Sequence, residues 1–347
     1  MIDVARSRQT VSGKMNMRSG VKKKMLSIDL CLADFGLRVK REKGVILSFL
    51  FHSLFKSENE ALSGAMDPQQ GVTVQMFAEF VRYFHNHGYE FVSPDQLGKG
   101  LNPDGKYVLL TFDDGYYNNL RALPILEQYG APAVFFISTV YIRSGSSFWW
   151  DVIYREDRKR GNADSAIKRK IGRFKKFTAQ DINARLSDEY GPIAALPVSD
   201  VDRPFSPSEL RDFSKHPLVF LGNHTRDHAI LTNYSPREIA EQISHAQRGI
   251  EEMTGLTPRM IAYPNGSASA LIKQIAKEAG LQFGIGVRPG RIQLPISVGA
   301  GESMNLNRFT LWGNREIEQQ CLVSRSPLSA QRIVQGLRRK FFFSFLS

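Results

Sequence analysis

The sequence predicts an α/β fold whose strands run parallel, and three observations carry that reading. Short apolar runs of strand length alternate with stretches of helical spacing from Val45 to about Leu311. Glycines stand where the helical stretches stop, at Gly88, Gly130, Gly255 and Gly280. The turns richest in chemistry, at Asp113, His224 and Tyr263, each directly follow an apolar run. In parallel barrels the loops at the C-terminal strand ends build the active site, so residues remote in sequence can converge there.

Taken in order, residues 1–44 read as a flexible basic leader, and Val45–Phe51 is a continuous apolar run suited to a buried strand, ending at His52. A polar loop spans Ser57 to Gly71. Phe77, Phe80, Val81 and Phe84 give Val74–His85 a helical apolar stripe. Glu90–Val92 is a short strand, Pro94–Leu97 starts a turn or helix, and Lys106–Phe112 is the next strand. A helix over about Asn119–Tyr129 leads to a strand at Ala133–Ile137. Residues of about 150–215 are charged, helix-prone and then proline-rich, which marks an insertion over the scaffold. The rhythm resumes with Val219–Gly222. Ser235-Pro236-Arg237-Glu238 then combines a cap serine, a first-turn proline and a third-position glutamate, the start of a helix. Met260–Tyr263, a helix over Ala268–Ala279, Phe283–Val287 and Leu306–Leu311 complete the scaffold, and residues 316–347 form a basic and aromatic tail.

With 347 residues, 42% of them hydrophobic, the chain can bury a sizeable core. The net charge of +12 gathers at the ends, in Lys22-Lys23-Lys24, Arg38–Lys43 and Arg338-Arg339-Lys340. No basic-aromatic signature surrounds the loaded turns, so nucleic acid is not the expected partner. Two cysteines, Cys31 and Cys321, support neither a disulfide framework nor a cysteine metal site. No apolar stretch has the length of a bilayer span or the form of a secretory signal, and the sequence as it stands reads as cytoplasmic. Arg338–Phe343 could anchor the chain at a membrane surface.

Asp113 and Asp114 are adjacent at a strand end, where their side chains would diverge. His224 and His228, four apart, can both chelate from one helix face or one tight loop. The set offers one carboxylate and two imidazoles to a metal and leaves a second carboxylate to act on water, the minimum for metal-assisted hydrolysis. Thr225 could anchor the histidine loop, and Asp227 could orient an imidazole. Tyr263-Pro264-Asn265-Gly266 could turn a backbone N–H into the site. His85, His87, His216 and His245 read as structural or solvent-facing.

Thr111-Phe112-Asp113-Asp114-Gly115, His224-Thr225-Arg226-Asp227-His228 and Tyr263-Pro264-Asn265-Gly266 resemble the first three motifs of the polysaccharide deacetylase family, also called the NodB-homology domain or carbohydrate esterase family 4. The resemblance covers roughly residues 45–312 and implies a distorted (β/α)7 barrel, here with a helical insertion. It also implies removal of acetyl groups from N-acetylated sugars, with Asp114, His224 and His228 holding a divalent metal, usually zinc, and Asp113 as general base. Tyr263 and Asn265 would serve the substrate or the oxyanion. The sequence departs from the family pattern twice. Ala262 stands where many members carry an arginine that tunes the base, leaving Arg308 or Arg259 as substitutes, and no histidine follows His245 to act as the late general acid. A subgroup similar to the biofilm poly-N-acetylglucosamine deacetylases carries that histidine on an early strand, which points to His52. The alternatives are hydrolysis of an acyl or formyl group on a lipid-linked or nucleotide-linked sugar or another small amide, and a non-catalytic glycan-binding barrel.

Overall fold

The computed structural model describes residues 27–39 and 42–328. By contact the chain divides into two compact units, one spanning Lys43–Ile317 and one formed by the described parts of Met1–Glu42 and Glu318–Ser347.

The larger unit is built on strands β1 (Val45–Phe51), β2 (Glu90–Phe91), β3 (Lys106–Phe112), β4 (Ala133–Ile137), β5 (Val219–Asn223), β6 (Met260–Ala262), β7 (Phe283–Ile285), β8 (Ile292–Gln293) and β9 (Phe309–Thr310). β1, β3, β4, β5, β6 and β7 are hydrogen-bonded in that order, and every pairing along this path is parallel. The final segment closes the ring: Leu306 bridges Ile285 and β9 pairs in parallel with β1 through Phe49↔Phe309. Seven parallel staves result, with β2 added beside β3 and β8 running antiparallel to β1. β1 and β4 are buried along their whole length, which is why both read as unbroken apolar runs without alternation.

The helices, α1 onward in chain order, are residues 27–39, Glu58–Ala61, Val74–Asn86, Pro94–Lys99, Leu123–Tyr129, Thr139–Ser144, Trp149–Lys159, Asp164–Phe174, Ala179–Tyr190, Pro207–Ser214, Pro236–Thr254, Ala270–Glu278 and Ile317–Arg325 (α13). The predicted start at Ser235 is a complete capping box, and the same device opens α10 at Ser206. Phe77, Phe80 and Phe84 of α3 pack onto the β1 side of the barrel, where Phe49 and Phe51 meet them at ring distances of 4.6–5.3 Å.

The segment predicted as an insertion resolves into two parts. α10 belongs to the barrel layer, because Phe213 packs edge-on against Phe135 of β4 at 4.7 Å. α7–α9 instead pack around Phe148, Trp149, Trp150, Ile167 and Phe174, in a cluster that also takes in Phe55, Met66, Tyr116 and Tyr141. Proline spacing could not separate the two, since Pro207 is simply the first residue of a scaffold helix.

In the other unit, residues 27–39 are helical where a flexible leader was expected. Arg325 of α13 donates two hydrogen bonds to Glu42 at 2.9 and 2.7 Å. Lys22–Lys24 and Arg338–Phe343 lie outside the described residues. No helix among the described residues is long and apolar enough to cross a membrane.

Candidate metal and catalytic site

Strand register places the site. Phe51 pairs with Phe112, so His52 and Asp113 leave the rim side by side, and the Asp113 N–H donates to Phe51 O at 2.9 Å. Ile137 pairs with Asn223, so the His224 N–H donates to Ile137 O at 3.1 Å on the same rim. The backbone then turns sharply. Asp114, Thr225, His228 and Asn265 all adopt positive φ, at 78°, 65°, 52° and 58°, in a region that disfavours side chains. Gly115 follows Asp114 at φ 94°, and a Cβ there would press on Ile137 Cδ1 at 3.2 Å.

The neighbouring aspartates have opposite surroundings. Both Asp113 oxygens are gripped by Arg308, through Nη1 to Oδ1 at 2.6 Å and Nη2 to Oδ2 at 2.7 Å. Arg308 is fully buried, and its remaining donors meet Gly286 O at 2.9 Å and Thr111 Oγ1 at 3.1 Å. Burial alone would raise the Asp113 carboxyl, but the Arg308 guanidinium more than offsets this and holds it below the usual carboxylate range.

Asp114 is equally buried, yet neither of its oxygens has a hydrogen-bond partner. Facing them are His224 Nε2 at 3.4 Å and His228 Nε2 at 3.3 Å, both measured to Oδ1. Burial again raises this carboxyl, but the imidazoles outweigh it and hold it near 2. Burial pushes His228 down to about 3, so its ring is neutral. His224 is fixed by its other nitrogen: Nδ1–H donates to Ala262 O at 2.7 Å, which leaves the Nε2 lone pair directed at Asp114. The third-motif position occupied by Ala262 therefore contributes a backbone carbonyl.

One oxygen and two nitrogens from these residues lie within 4.8 Å of one another, a set that could hold a metal ion. The donor chemistry fits a divalent cation, since a buried carboxylate with orphaned oxygens opposite two imidazole lone pairs is costly without one.

His52 stands on the other side of Asp114, with Nε2 4.0 Å from Oδ2. Its Nδ1 meets Gln70 Oε1 at 3.1 Å, while Gln70 Nε2 donates to Leu50 O at 2.9 Å, so the glutamine's orientation is set by the strand. Trp150 lies against His228 with ring centroids 4.5 Å apart, and its Nε1–H donates to the Tyr116 hydroxyl, which donates in turn to Asp151 Oδ2 at 2.7 Å. A cavity of about 470 Å³ opens over these groups, lined also by Asp67, Lys168, Lys175, Asn265 and Trp312.

Three expectations need correction. Tyr263 does not reach the cavity: its ring is buried in a separate apolar cluster, its hydroxyl donates to Met304 O at 3.2 Å, and its N–H is taken by Ile285 O. Asp227 turns away from both imidazoles to pair with Arg226 and accept from Gln242. Of the two candidate arginines, Arg259 instead pairs with Asp95. Thr225 does anchor its loop, with Oγ1 accepting from the Ala229 N–H at 2.7 Å. Sequence reasoning missed Gln70, Trp150 and the two lysines. The Trp149-Trp150 doublet inside a charged insertion was the one available signal, while nothing in the polar loop around it marks Gln70.

A family model described as polysaccharide deacetylase matches residues 100–284, more than half of the chain. The putative polysaccharide deacetylase YxkH of Bacillus subtilis (strain 168) is 21% identical over 273 residues, covering 77% of this chain and 74% of that one. Among solved structures, the deacetylase PplD of Streptococcus pyogenes, in complex with acetate, superposes with a TM-score of 0.55 at 18% identity, covering 82% of this chain and all of its own. IcaB of Ammonifex degensii gives 0.54 at 17% identity, covering 82% of this chain and 99% of that one. These two likenesses show the fold. With the family model matched across both loaded turns and the third, the chain belongs to the polysaccharide deacetylase family.

Proposed function

We propose that the protein is a metal-dependent N-deacetylase of N-acetylated glycans. The observation that carries this reading is the division of labour between neighbouring carboxylates: Asp113 is clamped and kept ionised by Arg308, while Asp114, with neither oxygen hydrogen-bonded, turns Oδ1 toward two imidazoles. Asp114, His224 and His228 would hold the cation, and a set of one oxygen and two nitrogens suits zinc. When bound, such a cation supplies Lewis-acid polarisation of the acetamide carbonyl and brings the pKa of water toward neutrality.

The rest falls to the chain's own groups. Asp113 takes a proton from the water as its oxygen attacks the carbonyl carbon, and Arg308 keeps the carboxylate aimed and ionised before the event. The backbone N–H at Asn265, a residue on the cavity wall, would donate to the carbonyl oxygen as it gains charge. His52, steadied by Gln70, delivers a proton through Nε2 to the departing nitrogen. The C–N bond breaks, and acetate and a free amino sugar leave.

The test is zinc analysis of the pure protein with acetate release from N-acetylglucosamine oligomers. Asp113→Asn is expected to retain the metal and lose turnover by at least about 10²-fold. Full turnover in that variant, or a wild-type protein with no affinity for zinc, would overturn the proposal.

A further inference from the structure

One wall of the cavity is a single face of α8 and its cap. Lys168, Ile171, Gly172 and Lys175, spaced i, i+3, i+4 and i+7, all line it. Two features of this face are not explained by the fold. Gly172 sits inside the helix, where glycine costs about 1 kcal/mol relative to alanine. Yet a Cβ there would meet no heavy atom within 4 Å, so the protein itself has no steric need of glycine. A bare backbone at such a point admits something from outside the chain.

The second feature is charge. Among the described residues neither lysine is within ion-pair distance of a carboxylate, and Lys175 Nζ donates only to Asn265 Oδ1, at 2.9 Å. The lysines bracket Gly172 at the two ends of a span of about 10 Å. Asp113 is already matched by Arg308, Asp114 lies among the imidazoles, and Asp67 is the one other carboxylate on the lining. Burial lowers the Lys175 ammonium while Asp67 and Asp114 act through space to raise it; Asp67 also feels Lys168, and both lysine side chains stay exposed to an arriving anion.

We infer that this face of α8 receives an anionic group carried by the substrate, a phosphate or carboxylate borne close to the acetamido sugar. The inference rests on the deacetylase reading of the same cavity. It narrows the substrate from any N-acetylated glycan to one whose reacting sugar is linked to phosphate or neighbours an acidic sugar.

The molecule carries its own reporter, because all three tryptophans, Trp149, Trp150 and Trp312, line this cavity. Tryptophan fluorescence of the full zinc-loaded chain carrying Asp113→Asn would be titrated with N-acetylglucosamine, N-acetylglucosamine 1-phosphate and a disaccharide of N-acetylglucosamine and glucuronate. At least one charged sugar is expected to bind about 10-fold tighter than the neutral one, as two partly exposed ion pairs allow. Which of them does so separates phosphate from carboxylate. The preference should weaken in high salt, vanish in Lys168→Gln/Lys175→Gln and return in Lys168→Arg/Lys175→Arg. Gly172→Leu should weaken binding of the charged sugar by filling the gap between the lysines. Equal binding of neutral and charged sugars, or a preference that survives loss of both lysines, would overturn the inference. Acetate release by the wild-type enzyme is scored separately. A charge preference that tracks the lysines without any acetate release would leave the anion site standing and remove the deacetylase reading.

Discussion

Arg308 is the residue on which the chemistry of Asp113 most depends, and its removal has a cost that can be worked out. The guanidinium is fully buried and gives two bonds to Asp113, one to Thr111 Oγ1 and one to Gly286 O. Arg308→Met keeps the length of the side chain and deletes every donor, so Asp113 becomes a buried carboxylate without its cation. Removing one partner of a buried pair costs about 3–5 kcal/mol, whereas replacing both partners with apolar groups is often nearly neutral. At about 2 °C per kcal/mol for a domain of this size, Arg308→Met should lower Tm by roughly 6–10 °C. Asp113→Leu alone should cost a similar amount by stranding the arginine. The double variant Asp113→Leu/Arg308→Met should be far more stable than the sum of the two losses. Thermal melts of the four proteins, each at the same zinc concentration, give the coupling directly. Single losses that add to within about 0.5 kcal/mol would show that the two groups do not act as a pair, and the account of how the base is held ionised would fall with them.

Asp114→Ala and Asp114→Gly should both abolish zinc binding and acetate release. They should differ in stability, since glycine tolerates the φ of 78° and alanine does not, which makes the glycine variant more stable by about 1 kcal/mol; equal melting temperatures would argue against strain at this turn. His52→Ala should keep zinc and lower kcat by about 10²–10⁴-fold, with Gln70→Ala nearer 10-fold, and unchanged turnover in His52→Ala would remove it as the acid. Away from the site, hydrogen bonds from Arg203 hold Glu209 near 2, against an ordinary 4.5. The folded state lowers this pKa, so its stabilisation is complete above about 4.5 and lost as pH falls toward 2. Glu209→Gln should therefore destabilise by about 1 kcal/mol at neutral pH, after allowance for solvent screening, and the gap should close in melts near pH 2.

The sequence was most legible where a local pattern had one physical meaning. The buried runs Val45–Phe51 and Ala133–Ile137 are strands at the bounds read from them, and the serine–proline–glutamate start of α11 is a formed capping box. Motif turns were recognisable because their residue types are chemically rare together. What stayed hidden depended on register and on distance along the chain. Arg308 lies 195 residues from Asp113, and sequence could offer it only as one of two arginines. The choice is made by the closing stave, where Phe309 pairs with Phe49 and the residue before it points inward beneath the rim. Tyr263 misled for the complementary reason. It belongs to a turn that borders the site, but the hydroxyl has Met304 O to satisfy and the ring has an apolar cluster to fill.

The same contrast bears on Ala262, which stands where the sequence resemblance leads one to expect an arginine. A guanidinium beside a buried carboxylate such as Asp113 meets an electrostatic need, and electrostatics does not specify which strand supplies the charge. In a closed parallel barrel every stave ends at the same rim, so an arginine from the last stave reaches Asp113 as readily as one from β6 could. On β6 stands Ala262, whose carbonyl sets the tautomer of His224. The Ala262 side chain is fully buried in an apolar cluster with Phe136, Phe283 and Ile285, where a bulky cation would overpack the core and strand its charge. Alanine at residue 262 and arginine at 308 are therefore compatible parts of one arrangement. Ala262→Arg should therefore destabilise the barrel by at least about 1–3 kcal/mol, read as a lower Tm, and an unchanged Tm would show that the cluster has room for the larger side chain.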